Sequence, residues 1–474
     1  MNHPHHSPIV SRREMLHRAG AGFGALGLAG TMASAGLLNS ASGSSGALAA
    51  THFPARAKRV IFLFMNGAPS HVDTFDPKPA LEKYSGQQPQ GDLYRQNKGS
   101  GYMPSPFKFA PQGESGVVMS ELFPNLARCA DDLCVLRSMH TDVPNHEPGL
   151  LVMHSGKQQP TRPSLGSWVS YGLGTENESL PSYVVLCPGL PVVGPQLWSN
   201  AFLPGEHQGT SVDTNDMQVD SLVKNLRHPR LDRGQQRRQL ELLGKLNQLH
   251  LQRRENDAAL ESQIKALELA FSMQAEASEA FDVSREPQHI HEMYGSSAFG
   301  QSCLLARRLC ESGVRFVQVY YVTKNGKQPW DTHSDNDNKH RQLCADSDQA
   351  TAALLTDLKR RGLLEDTLVV WGGEFGRTPY SQQNKNAKGK PGRDHHHTGF
   401  SMFLAGGGVK GGMMYGETDE FGMNAAVNPM HVHDLHATML HLMGVDHERL
   451  TYRYSGRDFR LTDVHGHVTH DILA

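Results

Sequence analysis

The chain has 474 residues, enough to bury a large core and to form up to two or three domains. Its formal net charge is −2, with acids and bases nearly balanced, so it carries no electrostatic footprint for nucleic acid. Its six cysteines lack C-x-x-C spacing, which argues against a thiolate zinc site and leaves buried free thiols as the default reading.

Ser11-Arg12-Arg13-Glu14-Met15-Leu16 resembles a twin-arginine export motif. A weakly hydrophobic Gly/Ala-rich stretch follows from Ala19 to Leu38, and Ala47-Leu48-Ala49 offers a small-residue cleavage site. We therefore expect residues 1–50 to be a signal read by the twin-arginine machinery, with a periplasmic or secreted product. An uncleaved signal would instead leave a membrane anchor. No later run approaches the ~20 apolar residues of a membrane span.

Arg59 to Met65 is an unbroken apolar run and the first predicted core strand. It ends in a loop carrying His71 and Asp73. The segment to about Gly116 is rich in Pro, Gly, Gln and Lys and reads as a surface excursion. Leu122 to Ala130 reads as a helix. Leu133 to Ser138 is a second strand, feeding the polar loop His140-Thr141-Asp142-Val143-Pro144-Asn145-His146. A helix over Leu150 to His154 comes next, then one from Pro163 with Ser164 as its N-cap. Tyr183 to Leu186 is a third strand.

From about 211 to 282, apolar residues at helical spacing (Leu242, Leu246 and Leu249, then Leu260, Ile264, Leu267 and Phe271) sit among Arg, Gln and Glu. This reads as a helical insertion with a solvated face, open to a protein partner. Leu304 to Ser312 is a helix and Val314 to Tyr321 a strand, whose exit carries Asp331 and His333. Gln349 to Lys359 is a helix leading into the strand Thr367 to Trp371. That strand breaks at Gly372-Gly373 before Glu374. Phe400 to Ala405 is another strand, and Met430 to Gly444 a helix. Alternating strands and helices predict an α/β fold, with residues 51–474 in one sheet-centred domain.

Five loops, each placed after a predicted strand, carry Asp, Glu or His: His71/Asp73, His140/Asp142/His146, Asp331/His333, Glu374, and Asp394/His395/His396/His397. Parallel strand ends share one edge, where open α/β sheets bind ligands. Mixed imidazole and carboxylate donors suit zinc, manganese or iron better than calcium alone. Asp331 and His333 form the best pair, because alternating residues in one loop can face one ion. Which imidazole of the 395–397 run ligates is open. Arg377 either holds an anion bidentately or pairs with Glu374.

Several motifs occur in order: Gly67 to Lys78, Pro163-Ser164-Leu165-Gly166-Ser167-Trp168, Ala306-Arg307-Arg308-Leu309, Trp330-Asp331-Thr332-His333, Glu374-Phe375-Gly376-Arg377-Thr378-Pro379 and Asp394-His395-His396. By these the chain resembles the DUF1501 family of exported proteins, within the alkaline phosphatase/sulfatase-like superfamily. The resemblance implies a doubly wound, mostly parallel sheet with one or two divalent ions (zinc, manganese, calcium or magnesium) at its carboxyl edge. It implies metal-ligand roles for Asp73, Asp331, His333 and Glu374 and for one or more of His395, His396 and His397. His433 and Asp434 match a C-terminal helix where a structural role is commoner. Phe375 stands where a typical superfamily member has a metal-binding histidine. The implied nucleophile position falls near Asn145 and His146, with Thr141 the nearest hydroxyl, and His146 or Arg377 would contact the anion. The implied activity is hydrolysis of a phosphate or sulfate ester, including sulfated or phosphorylated carbohydrate. The alternative is a binding or assembly protein that retains the fold without turnover.

Overall fold

The computed structural model describes residues 48–474, apart from 90–98, 178, 224–229, 252–267, 270, 272–278 and 383–388. The expected export signal lies outside the described residues. Among those described, no helix is long and apolar enough to cross a membrane.

A nine-stranded sheet organises the chain. In sequence order its main strands are β1 (Arg59–Met65), β2 (Leu133–His140), β3 (Tyr183–Leu186), β4 (Thr210–Val212), β5 (Phe316–Tyr321) and β6 (Thr367–Gly372). A hairpin of β7 (Gly376–Gln382) and β8 (Arg393–His396) stands outside this sheet. The sheet is completed by β9 (Phe400–Ala405), β10 (Met413–Tyr415) and β11 (Met430–His431). Its order is β10-β2-β9-β6-β1-β5-β3-β4, with β11 also pairing β2. Every pairing is parallel except those of β9, which runs antiparallel to both β2 and β6. The sheet is mostly parallel and its class is α/β, as expected.

The apolar runs are continuous because both faces are covered. On β1, Ile61, Leu63 and Met65 join one hydrophobic cluster and Val60, Phe62 and Phe64 join another, the period-two alternation of a strand buried on both sides. Helices α4 (Ala298–Glu311) and α5 (Asn336–Arg360) pack in the first cluster. Helices α1 (His146–Ser155), α2 (Leu165–Leu173) and α6 (Val432–Leu442) pack in the second. Ser164 caps α2 as expected, its side chain accepting from Ser167 N.

The stretch expected to be a helical insertion opens on β4, an edge strand of the main sheet. It contains the helix α3 (Arg233–Leu251). Leu260, Ile264 and Leu267 lie outside the described residues. All six cysteines are buried and free.

Two local readings change. Leu122 to Ala130 is not an α-helix; a 3-10 helix spans Leu126–Asp132. The histidine run does not follow a strand; it lies in and just after β8 and leads into β9. Because β9 is antiparallel, its start lies at the edge where β1, β2, β5 and β6 end. That brings His395 to the same edge from the opposite chain direction.

Candidate metal centre

Four side chains meet at this edge. His146, Asp331, His333 and His395 each offer a ligand atom, all within 4.8 Å of one another, the one such group found among the described residues. His333 Nε2 lies 2.8 Å from Asp331 Oδ1 and 3.0 Å from His395 Nε2. His146 Nε2 and His395 Nε2 lie 3.2 and 3.3 Å from the same Asp331 oxygen. Donors about 2.0–2.1 Å from one tetrahedral ion sit about 3.3 Å apart. These four spacings are of that size, and all the donor atoms lie within 4.8 Å.

Local structure explains the convergence. His146 is the first residue of α1, in the loop beyond β2. Asp331 and His333 leave β5 in a loop wedged against the end of β1, where a Cβ on Gly67 would sit 2.4 Å from Asp331 N. His395 arrives on β8, and a Cβ on Gly392 would sit 2.2 Å from the His333 carbonyl carbon. Only glycine at these two positions lets the segments approach so closely.

The imidazoles are held in a ligand-ready tautomer. His146 Nδ1 is 2.5 Å from Glu374 Oε1, and His333 Nδ1 is 2.6 Å from Gln382 Oε1. Each acceptor receives the hydrogen bond of Nδ1–H, so Nε2 is the nitrogen that faces the cluster and ligates once it gives up any proton it carries. His146 Nε2 is buried and, despite its distance from Asp331, lies off the direction of a hydrogen bond, with no other partner among the described residues. An orphaned imidazole nitrogen among donors at coordination spacing fits a cation. Burial alone would lower the His146 pKa, but the negative carboxylates of Asp331 and Glu374 close to the ring outweigh this and raise it to about 9, so an ion that binds there displaces the Nε2 proton. Asp331 is opposed by burial too, yet His146, His333, His395 and Arg377 hold its carboxyl far below the usual range.

Of the residues singled out from sequence, Asp331, His333 and His395 enter the cluster. His146, expected at an anion or nucleophile position, enters as a fourth donor. Glu374 is fully buried behind His146 and also accepts from Gly67 N at 3.1 Å. Asp73 lies elsewhere: its carboxylate pairs with Arg393 at 2.7 and 3.1 Å and accepts from Ser70 and Asn336. His396, one residue on along β8, faces away, with Nε2 2.5 Å from Met423 O and its ring over His71. His397 is outside the donor group; burial lowers its pKa, with Asp142 and His140 acting on it electrostatically, and its carbonyl accepts from Thr141 N. The Thr141 hydroxyl is buried and has no hydrogen-bond partner among the described residues. Arg377 is fully buried; it donates to Asp331 Oδ1 at 2.6 Å and to the carbonyls of Gly67 and Ala68. Phe375 packs its ring 5.0 Å from that of His146 and 5.1 Å from that of His395, an apolar wall to the cluster. Gln382 drew no notice in the sequence; it ends a strand that Gly376 and Pro379 disguise, and a register shift within that strand removes a simple alternation that could have singled it out.

The chain matches the family described as protein of unknown function (DUF1501) over residues 57–473. It belongs to that family. No curated protein matches it. Solved structures similar to it include a sulfatase from Pseudoalteromonas sp., at 14% identity and TM-score 0.35, covering 92% of this chain and 73% of that one. A phosphonate monoester hydrolase from Silicibacter pomeroyi aligns at 10% identity and TM-score 0.33, covering 82% and 73%. The TAB5 alkaline phosphatase, solved as a variant with magnesium bound, aligns at 12% identity and TM-score 0.30, covering 74% and 92%.

Proposed function

We propose that this DUF1501 protein is an exported, metal-dependent hydrolase of phosphate or sulfate esters. The observation that carries the reading is the convergence of three imidazole Nε2 atoms and one Asp331 oxygen, with two imidazoles backed by Glu374 and Gln382. Such an imidazole-rich set favours zinc, manganese or iron over calcium and magnesium. A bound divalent ion supplies Lewis-acid stabilisation of charge developing on ester oxygens.

The chain's own residues do the rest. Arg377 fixes Asp331 against the loop after β1, and Phe375 walls off one side of the cluster. His333 and Asp331, 29% and 27% exposed, form the side open to an ester. The ester class is supported by the ordered motifs that resemble the phosphatase/sulfatase-like superfamily, and export by the Arg12-Arg13 motif. Sulfated or phosphorylated carbohydrate is the proposed substrate.

The test is metal content of the purified mature chain together with turnover of aryl phosphate, aryl phosphodiester and aryl sulfate. Metal-free protein from metal-replete medium, without turnover, would sink the proposal. A second reading, metal-dependent binding without turnover, is favoured by Thr141, whose buried hydroxyl makes no hydrogen bond to a base among the described residues. Bound metal with no hydrolysis of any of the three esters selects it. Intact-mass measurement after expression in a twin-arginine-competent host tests export, and a retained N-terminus argues for an anchor.

A further inference from the structure

Residues 48–58 form a strap across the end of the sheet opposite the metal centre. Leu48 N donates to Gly172 O at 2.7 Å, and the Leu48 side chain packs against the second hydrophobic cluster. His52 and Phe53 N donate to Gly444 O at 2.8 and 3.1 Å, and Arg56 and Ala57 N to Leu442 O at 2.8 and 2.9 Å. The last carbonyls of a helix have no partner within it, and the strap supplies one to Leu442 at the end of α6. His52 Nδ1 accepts from Asp446 N at 2.9 Å, and the Phe53 ring lies 4.9 Å from that of His441. A Cβ on Gly444 would sit 2.7 Å from Phe53 O, so glycine there lets the strap lie this close. Gly174 O, just past α2, accepts from Arg315 before β5, and Lys58 N donates to Asp366 O before β6. The strap therefore lies where these strands start, whereas the metal donors gather where they end.

Leu48 is the central residue of Ala47-Leu48-Ala49, the expected cleavage motif, so the fold takes hold of the chain inside that motif. Ala49, Ala50 and Thr51 are exposed, but they are only three residues between the attachments at Leu48 and His52. A peptidase needs free chain on both sides of the bond it cuts. The backbone must first leave its partners, and the cleavage rate then follows the population of the undocked state.

We propose that the folded domain masks its own cleavage site, so that the export signal is retained as a membrane anchor. This rests on the export reading. Residues 39–47, nine in number, separate the Gly/Ala-rich stretch from Leu48, a reach of at most about 30 Å. The anchor thus holds the body near the membrane by the end that lies away from the metal centre. Hydrolysis of the Ala49–Ala50 peptide bond is the step that the docked strap prevents.

The experiment follows the full chain in a twin-arginine-competent host, by intact mass and by separating membrane from soluble fractions. It compares wild type, Leu48→Ala, and His52→Ala combined with Phe53→Ala, all of which keep the alanines at 47 and 49. We expect wild type to stay whole in the membrane fraction. The variants should be cut after Ala49 about 10-fold faster or more and released, with metal content unchanged. Wild type cut as fast as the variants overturns the inference, as does a folded double variant that stays whole, or a whole wild type in the soluble fraction. Hydrogen exchange on the full-length wild type needs no variant: the Leu48, His52 and Phe53 amides should be protected, and free exchange at Leu48 overturns the masking. Arg12→Lys with Arg13→Lys tests the export reading separately. A chain that crosses the membrane without the arginine pair, or stays inside the cell with it, overturns that reading.

Discussion

Glu374 Oε1 sits 2.5 Å from Nδ1 of His146, a residue 228 positions earlier in the chain. The carboxylate at the end of β6 thus sets the proton of an imidazole at the start of α1, and its effect on a cation passes through that ring.

Removing Glu374's acceptor should weaken metal binding without abolishing it. Losing such an outer partner typically costs about 10- to 100-fold in affinity. We expect Glu374→Ala to show a loss of this size in chelator competition, and Gln382→Ala a similar loss through His333. Wild-type affinity in both variants would show that the two Nδ1 contacts do not tune the site.

Adjacent residues on β8 should behave oppositely. His395→Ala should release the metal while leaving a cooperative fold. His396→Ala should keep it but lose about 0.5–1.5 kcal/mol of stability for the hydrogen bond to Met423 O, which keeps its second donor, the Thr398 hydroxyl. Parallel metal analysis and urea unfolding decide between them; metal loss in His396→Ala alone would reverse our choice within the run.

Asp73 is expected to act on stability and not on metal. Burial would raise its pKa, but Arg393, with His340 and Ser70, holds the carboxyl well below the usual range. A depressed carboxylate stabilises above its unfolded pKa, so this contribution is complete at neutral pH and lost only in strong acid. Asp73→Ala leaves Arg393 buried and unpaired, a cost of about 3–5 kcal/mol. Denaturation at pH 7 measures it. A loss below 1 kcal/mol would mean that Arg393 finds another partner.

Buried neutral histidines predict a second, milder acid limit. Burial lowers His154 and His340 to about 4 and His436 to about 3. Below the unfolded value near 6.5 the unfolded chain takes up protons that these rings refuse, so stability falls as pH drops from 6.5 toward 4. Each ring steepens the fall by up to about 1.4 kcal/mol per pH unit. Denaturation midpoints that do not move between pH 7 and pH 5 would contradict this.

Much of the sheet was legible because strands buried on both faces are continuous apolar runs. Tyr183–Leu186 and Phe400–Ala405 fall where the sequence puts them. The direction of β9 was not legible, since an apolar run carries no sign of its orientation. β7 was not legible, because Gly376 and Pro379 interrupt any apolar or alternating run there. Asp331 and His333 could be paired from their spacing. His395 could not be told from His396 until β8 was known to be a strand, whose alternation sends them to opposite faces. Asp73 looked like a donor because a charge beside a strand end invites that reading, while its partner Arg393 lies 320 residues away.

The donors at 146, 331, 333 and 395 come from three widely separated stretches of chain. No nascent fragment that ends before β8 can hold the ion with all four. Closing such long loops is slow and entropically costly, so it comes after local structure has formed. Metal uptake should therefore be among the last events in maturation, and a bound ion certifies that the whole sheet has been assembled.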